Sequence, residues 1–348
     1  MQKPVTLAQF GCGYWGPNLL RNFSALPDCR VKYVVEHSAE RRAFVVANYP
    51  QTIPLDVMET VLADPEVDAV VIATPASTHF DLTKTVLDSG KHVMVEKPMA
   101  MTLTDADELT ELAAARRRVL MVGHTFLYND AVAYLRDLVA SGDLGQIYYL
   151  YAQRLNLGVI RSDVNAMWNL APHDISIINY ILNDQPVSVS ATGKAYIQHG
   201  IEDVVFMNAS FASGVHASVH VSWLDPNKIR QLTVVGSRKM VVYDDIANDK
   251  ITIYDKGIDR HTQAHPFDDP QPARLVHRSG DISLPQIDFK EPMRTEAKHF
   301  LDCVRTGQAP RSDGANGRDV VAVLEAGTRS LASGGAVVKI DGLRSARP

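Results

Sequence analysis

Two short segments of this 348-residue chain carry side chains with the chemistry to move a proton and to steady a negative charge. In Val95-Glu96-Lys97-Pro98 an apolar run delivers a carboxylate and an ammonium, then stops at proline. A lysine so placed can polarise a hydroxyl or carbonyl and stabilise a developing alkoxide; the bland alternative is a surface ion pair. The other segment is Met167-Trp168-Asn169-Leu170-Ala171-Pro172-His173-Asp174. Imidazole, with an ordinary pKa of about 6.5, can take a carbinol proton at neutral pH. Proline suits a helix's first turn and an apolar-periodic run follows, so a helix is predicted over 173–182 with His173 at its start. There the helix dipole would disfavour imidazolium and keep the base free. Spacing alone equally allows a histidine that only caps or packs, and Asp174 reads as a first-turn acid.

The amino-terminal region is patterned to hold a dinucleotide. An apolar strand runs into Gly11-Cys12-Gly13-Tyr14-Trp15-Gly16, a helix-like stretch follows, and a second strand ends in Glu36, 20 residues after Gly16. Gly11 permits a tight turn, Gly13 lets the backbone approach a pyrophosphate, and Gly16 lets the helix pack close to the strand. The unpaired N–H groups at the helix start then face the phosphates. Glu36 can bond both hydroxyls of an adenine ribose and would repel a 2′-phosphate, so NAD is favoured over NADP. Arg41 and Arg42 read most simply as solvated helix charges, and Cys12 as a small buried side chain. A second strand end, Ala73-Thr74-Pro75-Ala76-Ser77-Thr78-His79, has the turn and helix start to flank the nicotinamide ribose.

The elements that must position these groups alternate up to about Gly123. Strands are expected at 6–10, 31–36, 69–74, 92–96 and 119–123, with helices at 15–26, 39–48, 55–63, 80–89 and 103–116. That is the pattern of a doubly wound parallel sheet. Beyond it come a helix near 131–141, strands over 146–155, 187–195, 204–211, 215–223, 230–235, 239–243 and 251–254, a polar Pro-rich loop over 257–285, helices over 293–306 and 317–333, and a strand at 336–340. The fold class is therefore α/β: a Rossmann domain over 1–123, then over 124–348 an α/β domain with a large open, mainly antiparallel sheet. The carboxy-terminal helices are expected to pack near the junction of the two.

The balance of 35 basic against 40 acidic residues, net −5, offers no basic stripe, so neither nucleic acid nor an anionic membrane is an expected partner. No apolar run approaches the ~20 residues of a membrane span. The first strand begins too early for a signal peptide, and Cys12, Cys29 and Cys303 suit neither a disulfide framework nor a zinc site, so a cytoplasmic location is expected. His261 and His265 share a segment without ligating partners, and no metal is expected.

G-x-G-x-x-G at Gly11 to Gly16, A-T-P-x-x-x-H at Ala73 to His79, E-K-P at Glu96 to Pro98 and the segment Met167 to Asp174 together resemble the glucose–fructose oxidoreductase/inositol dehydrogenase/rhizopine catabolism (Gfo/Idh/MocA) family over essentially the whole chain. The resemblance implies hydride transfer between a nicotinamide cofactor and a sugar or polyol carbinol, with homodimers or homotetramers formed through the open sheet. It implies Lys97 and His173 as the catalytic pair. It places Gly11, Gly13, Tyr14, Trp15, Gly16, Glu36, Thr74, Pro75, His79, Glu96 and Lys97 at the cofactor. The family's aspartate four residues before the histidine is Asn169 here; an amide cannot titrate, so the proton load falls on His173. Relatives often carry asparagine and arginine where this chain has Thr125 and Leu127. Candidates for substrate contact are Tyr128, Asn129, Arg154, Asn156, Arg161, Trp168 and Asn169, each with an alternative as a surface or core residue. G-C-G-Y-W-G-P-N, V-G-H-T-F-L-Y and W-N-L-A-P-H-D look like the branch acting on nucleotide-activated amino sugars such as UDP-N-acetylglucosamine, oxidised at the 3-hydroxyl to a 3-keto sugar. A 3-ketosugar reductase, an inositol or free-sugar dehydrogenase, or a non-catalytic NAD-binding sugar sensor would carry much the same residues.

Overall fold

The computed structural model describes residues 3–261, 274–340 and 342. The first part of the chain forms β1 (Val5–Phe10), α1 (Gly16–Ser24), β2 (Cys29–Val35), α2 (Ala39–Asn48), β3 (Ile53–Leu55), α3 (Glu59–Ala63), β4 (Ala69–Ile72), α4 (His79–Asp88), β5 (His92–Val95), α5 (Leu103–Arg116) and β6 (Leu120–Val122). Its six strands pair in parallel in the order β3-β2-β1-β4-β5-β6. Every residue of β1 and β4 is buried, as central strands covered on both faces must be. The order reverses between β1 and β4, opening a crevice over their carboxyl ends where a doubly wound sheet binds its ligand.

One strand of this sheet runs against the sequence-based expectation. A helix was expected from residue 55; instead Ile53–Leu55 is an edge strand on β2, and α3 is only Glu59–Ala63. Three residues around Pro54 carry too short a pattern to show alternation, and an edge is where a strand tolerates proline.

The chain continues with α6 (Asp130–Ala140), β7 (Ile147–Leu155), α7 (Ala166–Leu182), β8 (Pro186–Lys194), β9 (Val204–Phe211), β10 (His216–Ser222), β11 (Ile229–Gly236), β12 (Met240–Asp244), β13 (Ile251–His261), β14 (Arg274–Ser283), α8 (Pro292–Thr306), α9 (Gly314–Ala332) and β15 (Val338–Lys339). Among the described residues nine strands form one sheet in the order β14-β13-β12-β11-β7-β10-β9-β8-β15, antiparallel throughout except for the β7–β10 pair. β7 shows the two faces: Leu150, Ala152 and Arg154 point into the core, while Tyr149 and Tyr151 stand exposed. α7 and α9 cover the inner face, lying on β10 and β8. The expected loop over 257–285 is largely a hairpin: β13 runs on to His261 and pairs with β14. Its polar, weakly alternating residues lie mostly exposed, so no apolar stripe marked it. His265 lies outside the described residues.

The last helices return to the parallel sheet. α8 packs on α1, with Phe23 and Phe300 edge to face at 6.2 Å and Arg305 bonding Asp28 at 2.6 Å. Phe300 is fully buried, and burying such a ring contributes about 1.5–3 kcal/mol. α9 packs between α5 and α7, tied to α5 by Arg318–Asp107 at 2.9 Å.

Candidate active site

The glycine turn between β1 and α1 is fixed by what cannot be there. Gly11 has φ +88°, and a Cβ on it would lie 2.5 Å from the Ala73 carbonyl oxygen at the end of β4. A Cβ on Gly16 would lie 2.6 Å from the Gly11 carbonyl oxygen. Gly13 is different: a Cβ there would meet nothing within 4 Å, so the turn borders open space. No side chain caps α1; Pro17 brings no N–H to its first turn, and the Asn18 N–H bonds the Trp15 carbonyl at 3.0 Å. Space beside Gly13 and an uncapped helix start suit the pyrophosphate of a dinucleotide. Glu36 sits against the turn, accepting from the Cys12 N–H at 2.7 Å and the Ser38 N–H at 2.9 Å. Arg42 donates through one terminal nitrogen to the carbonyls of Glu36 and His37, at 2.7 and 2.8 Å, which holds its side chain beside the end of β2.

The second strand end is braced by a buried histidine. His79 lies between the carbonyls of Pro98, 2.7 Å from Nδ1, and Thr74, 3.0 Å from Nε2, so it ties the loop after β4 to the turn after β5. Burial lowers its pKa. Thr74 and Thr78 hydroxyls meet at 2.7 Å and Pro75 is exposed beside them. At the end of β5, Glu96 is buried and accepts from the Trp15 indole N–H at 2.9 Å, while Tyr14 stands free in solvent. Burial pushes the Glu96 carboxyl up to about 7, against the opposing pull of Lys97. Lys97 donates to the Asn169 carbonyl oxygen at 2.8 Å, so α7 holds this ammonium by its backbone. Burial brings its pKa down to about 8; Arg161 and Arg154 push the same way and Glu96 opposes them.

The helix bearing His173 starts earlier than the sequence suggests. α7 begins at Ala166, capped by the Asn165 side chain accepting from the Trp168 N–H at 3.1 Å, and Pro172 lies inside it. His173 is therefore mid-helix, and the expected helix-dipole effect is corrected. Its pKa does sit well below the ordinary value, but burial is the main cause, followed by the positive charges of Lys97 and Arg154. Nδ1 of His173 is buried and finds no hydrogen-bond partner among the described residues. The Asn169 side chain accepts from the Trp223 indole N–H at 3.2 Å, so the residue at the family's carboxylate position serves as a brace. Lys97, Asn169 and His173 thus come together over the carboxyl ends of the parallel strands.

Other candidates are placed elsewhere. Tyr128, expected at a substrate, is 2% exposed and its hydroxyl bonds Ser312 at 2.9 Å; burial raises its pKa. Asn129 is equally buried, capping α6 through the Ala131 N–H and donating to Tyr243. Trp168 packs against α9 with its indole N–H on Thr328 at 2.9 Å. Arg154, expected at a substrate, is buried and spends Nε and one terminal nitrogen on Asp174, each at 2.9 Å. Asn156 and Arg161 remain at the mouth, half-buried, on the loop between β7 and α7; Arg161 is paired with Asp163. Core packing and capping explain the buried set, because each of these residues satisfies its polar atoms internally.

Two residues at the site had escaped notice. His124, 1% exposed, has both ring nitrogens without partners among the described residues, and burial brings its pKa down to about 3. Glu296 on α8 is fully buried, accepts from Thr125 at 2.8 Å, and has its pKa raised well above normal by burial and by Glu96. Its signal was readable: a carboxylate on the stripe formed by Met293, Ala297, Phe300 and Leu301 must be buried or the stripe broken. Among the described residues no group of three or more His, Cys, Asp or Glu is placed to hold a metal ion. No helix among them is long and apolar enough to cross a membrane.

Residues 5–124 match the family described as "Oxidoreductase family, NAD-binding Rossmann fold", and residues 132–242 match the "GFO/IDH/MocA C-terminal domain". A UDP-N-acetylglucosamine 3-dehydrogenase of Acidithiobacillus ferrooxidans is 26% identical over 315 residues, covering 90% of this chain and 92% of that protein. The solved structure of the enzyme GnnA, bearing the same name and from the same organism, superposes with a TM-score of 0.77 at 24% identity, covering 96% of this chain and 99% of that one. GenD2 of gentamicin A biosynthesis, solved in complex with NAD, shares the fold with a TM-score of 0.82 at 22% identity and 98% coverage of both chains. The two matched segments span well over half of the 348 residues with the glycine turn and β7–β11 inside them, and on that ground the chain belongs to the Gfo/Idh/MocA family of NAD-binding oxidoreductases.

Proposed function

We propose that this oxidoreductase takes the 3-hydroxyl of a nucleotide-activated amino sugar, such as UDP-N-acetylglucosamine, to a 3-keto sugar. The observation that carries the chemistry is the pairing of Lys97, fixed by the Asn169 carbonyl at 2.8 Å, with the uncharged His173 imidazole. His173 accepts the hydroxyl proton, and Lys97 donates a hydrogen bond to the same oxygen as it gains charge. NAD, when bound, supplies the hydride acceptor. The glycine turn, Glu36 and the loop braced by His79 orient the cofactor, while Glu96, held by the Trp15 indole, favours the charged form of Lys97. Support for the substrate class comes from the relative of A. ferrooxidans, and from Asn156 and Arg161 as half-buried polar groups on the loop between β7 and α7. The chain divides functionally near residue 123. It assembles with further copies through the sheet face carrying Tyr149, Tyr151 and Phe206, a partly apolar surface that suits a self-complementary contact.

A panel of UDP-sugars, dTDP-sugars and inositols with NAD, read by the absorbance of NADH, tests the substrate. UDP-N-acetylglucosamine should give the highest kcat/KM, with one NADH per 3-keto product. Turnover confined to inositols or free sugars would overturn the substrate class. Tight NAD binding with no turnover of any panel member would mark a sensor. Light scattering should report a dimer or larger; a monomer at all concentrations would refute the assembly.

A further inference from the structure

Histidine bases are usually aimed by a group that accepts a hydrogen bond from the second ring nitrogen. His173 has no such bond: Nδ1 is buried and unpartnered among the described residues. The carboxylate nearest in sequence, Asp174, is turned to Arg154, and the two form a bidentate pair at 2.9 and 2.9 Å with side chains only 6% and 4% exposed. The Arg154 guanidinium in turn lies over the Phe126 ring, 4.6 Å from its centroid. Phe126 meets the His173 imidazole edge to face, with centroids 5.1 Å apart and planes at 69°. The contacts run in one line from Asp174 through Arg154 and Phe126 to His173, and start and end on adjacent residues of α7.

We propose that Arg154, locked by Asp174 and acting through the Phe126 ring, is the positioning residue that aims the His173 imidazole in place of a bond to Nδ1. The assignment rests on His173 being the base. The physical grounds are rigidity and directionality. A bidentate buried guanidinium cannot rotate without breaking two charge-assisted hydrogen bonds. A cation over a ring face holds that ring, and a T-shaped aromatic contact prefers one relative orientation. The imidazole is thereby kept from flipping, although nothing bonds its inner nitrogen. The charged and titratable groups acting on it are Lys97 after β5, His124 after β6, Arg154 on β7 and Arg230 on β11. Arg154 reaches the ring through the packed Phe126 side chain.

The test compares Phe126→Leu, Arg154→Lys and His173→Ala with the parent protein. Phe126→Leu breaks the path but leaves the ion pair intact; Arg154→Lys keeps the charge and loses the fork. Both should lower kcat by about ten- to a hundredfold, the scale of a misaimed group. KM and the NAD dissociation constant, read by fluorescence, should stay within about twofold. NMR of the His173 ring protons, assigned by the signals missing in His173→Ala, should show the contacts of one ring orientation in the parent and of two in both variants. Parent-like kcat and ring orientation in Phe126→Leu, with His173→Ala inactive, would overturn the positioning role and leave the base assignment standing. Near-normal turnover in His173→Ala would sink the base assignment instead, and the NMR comparison would still decide whether Arg154 aims the ring. Should Arg154→Lys fold poorly, Phe126→Leu alone decides.

Discussion

The cofactor end and the proton-transfer end of the cleft are built by opposite means. At the glycine turn the work is done by backbone: Gly11 at φ +88°, a Gly16 that excludes a Cβ, N–H groups at the start of α1, and one carboxylate 20 residues on. At the proposed proton-transfer end the work is done by side chains drawn from the turn after β5 and from β7, α7 and α8: half-buried Lys97 and His173 with buried Arg154 and Glu296. The first design tolerates little change in shape and depends weakly on titration. The second depends on charges whose pKa values burial has displaced, so it responds to pH and to single-atom changes.

The largest test of that contrast is removal of the reacting groups. His173→Ala and Lys97→Met should each lose about 10²–10⁴ in turnover while binding NAD as before, the usual worth of a positioned acid or base. Loss of NAD binding in either would merge the two ends. Gly11→Ala should do the reverse: a Cβ 2.5 Å from the Ala73 carbonyl forces the turn open, so NAD affinity should fall more than tenfold, at a stability cost of about 1–3 kcal/mol. Unchanged NAD affinity there would show that the turn is not the phosphate site. Titration sharpens the contrast further. His173 must be unprotonated and its pKa is displaced downward, so turnover should persist on the acid side of the ordinary imidazole range. Lys97 must be protonated, so activity should fall as pH rises through about 8. A kcat profile still rising at pH 9 would contradict the role of the ammonium. Glu36→Ala should weaken NAD by about tenfold, the scale of one charge-assisted hydrogen bond, and narrow its preference over NADP. The smallest effect belongs to Asn165→Ala, which removes the cap of α7 and should cost about 1 kcal/mol in denaturant unfolding.

What could be read in the sequence follows the same division. Ala39–Asn48 and Leu103–Arg116 were located to the residue, because each starts with a capping Ser38 or Thr102 and keeps its period to the end. The glycine turn and Glu36 were legible for the same reason: every partner lies within a few tens of residues. α7 was placed seven residues late because Pro172 was taken for a first-turn proline, when Asn165 is the cap and the proline sits within the helix. Arg154 could not be told from a surface cation, since Asp174 stands 20 residues away and only the packing of β7 under α7 pairs them. The Asn169 carbonyl that holds Lys97 is a backbone atom 72 residues distant, which no side-chain pattern announces.

The return of α8 onto α1 bears on how this cofactor unit travels between proteins. Leu19, Leu20 and Phe23 form one apolar surface with Met293, Ala297, Phe300 and Leu301, so the parallel sheet and its helices are finished by a segment that follows α1 in sequence by as much as the 270 residues between Arg21 and Glu291. A fragment ending near residue 123 would present that surface to solvent and should self-associate. A chimera exchanging cofactor preference with a relative therefore has to transplant residues 292–306 together with the amino-terminal part. In exchange by recombination the unit is discontinuous, with three crossover sites rather than one.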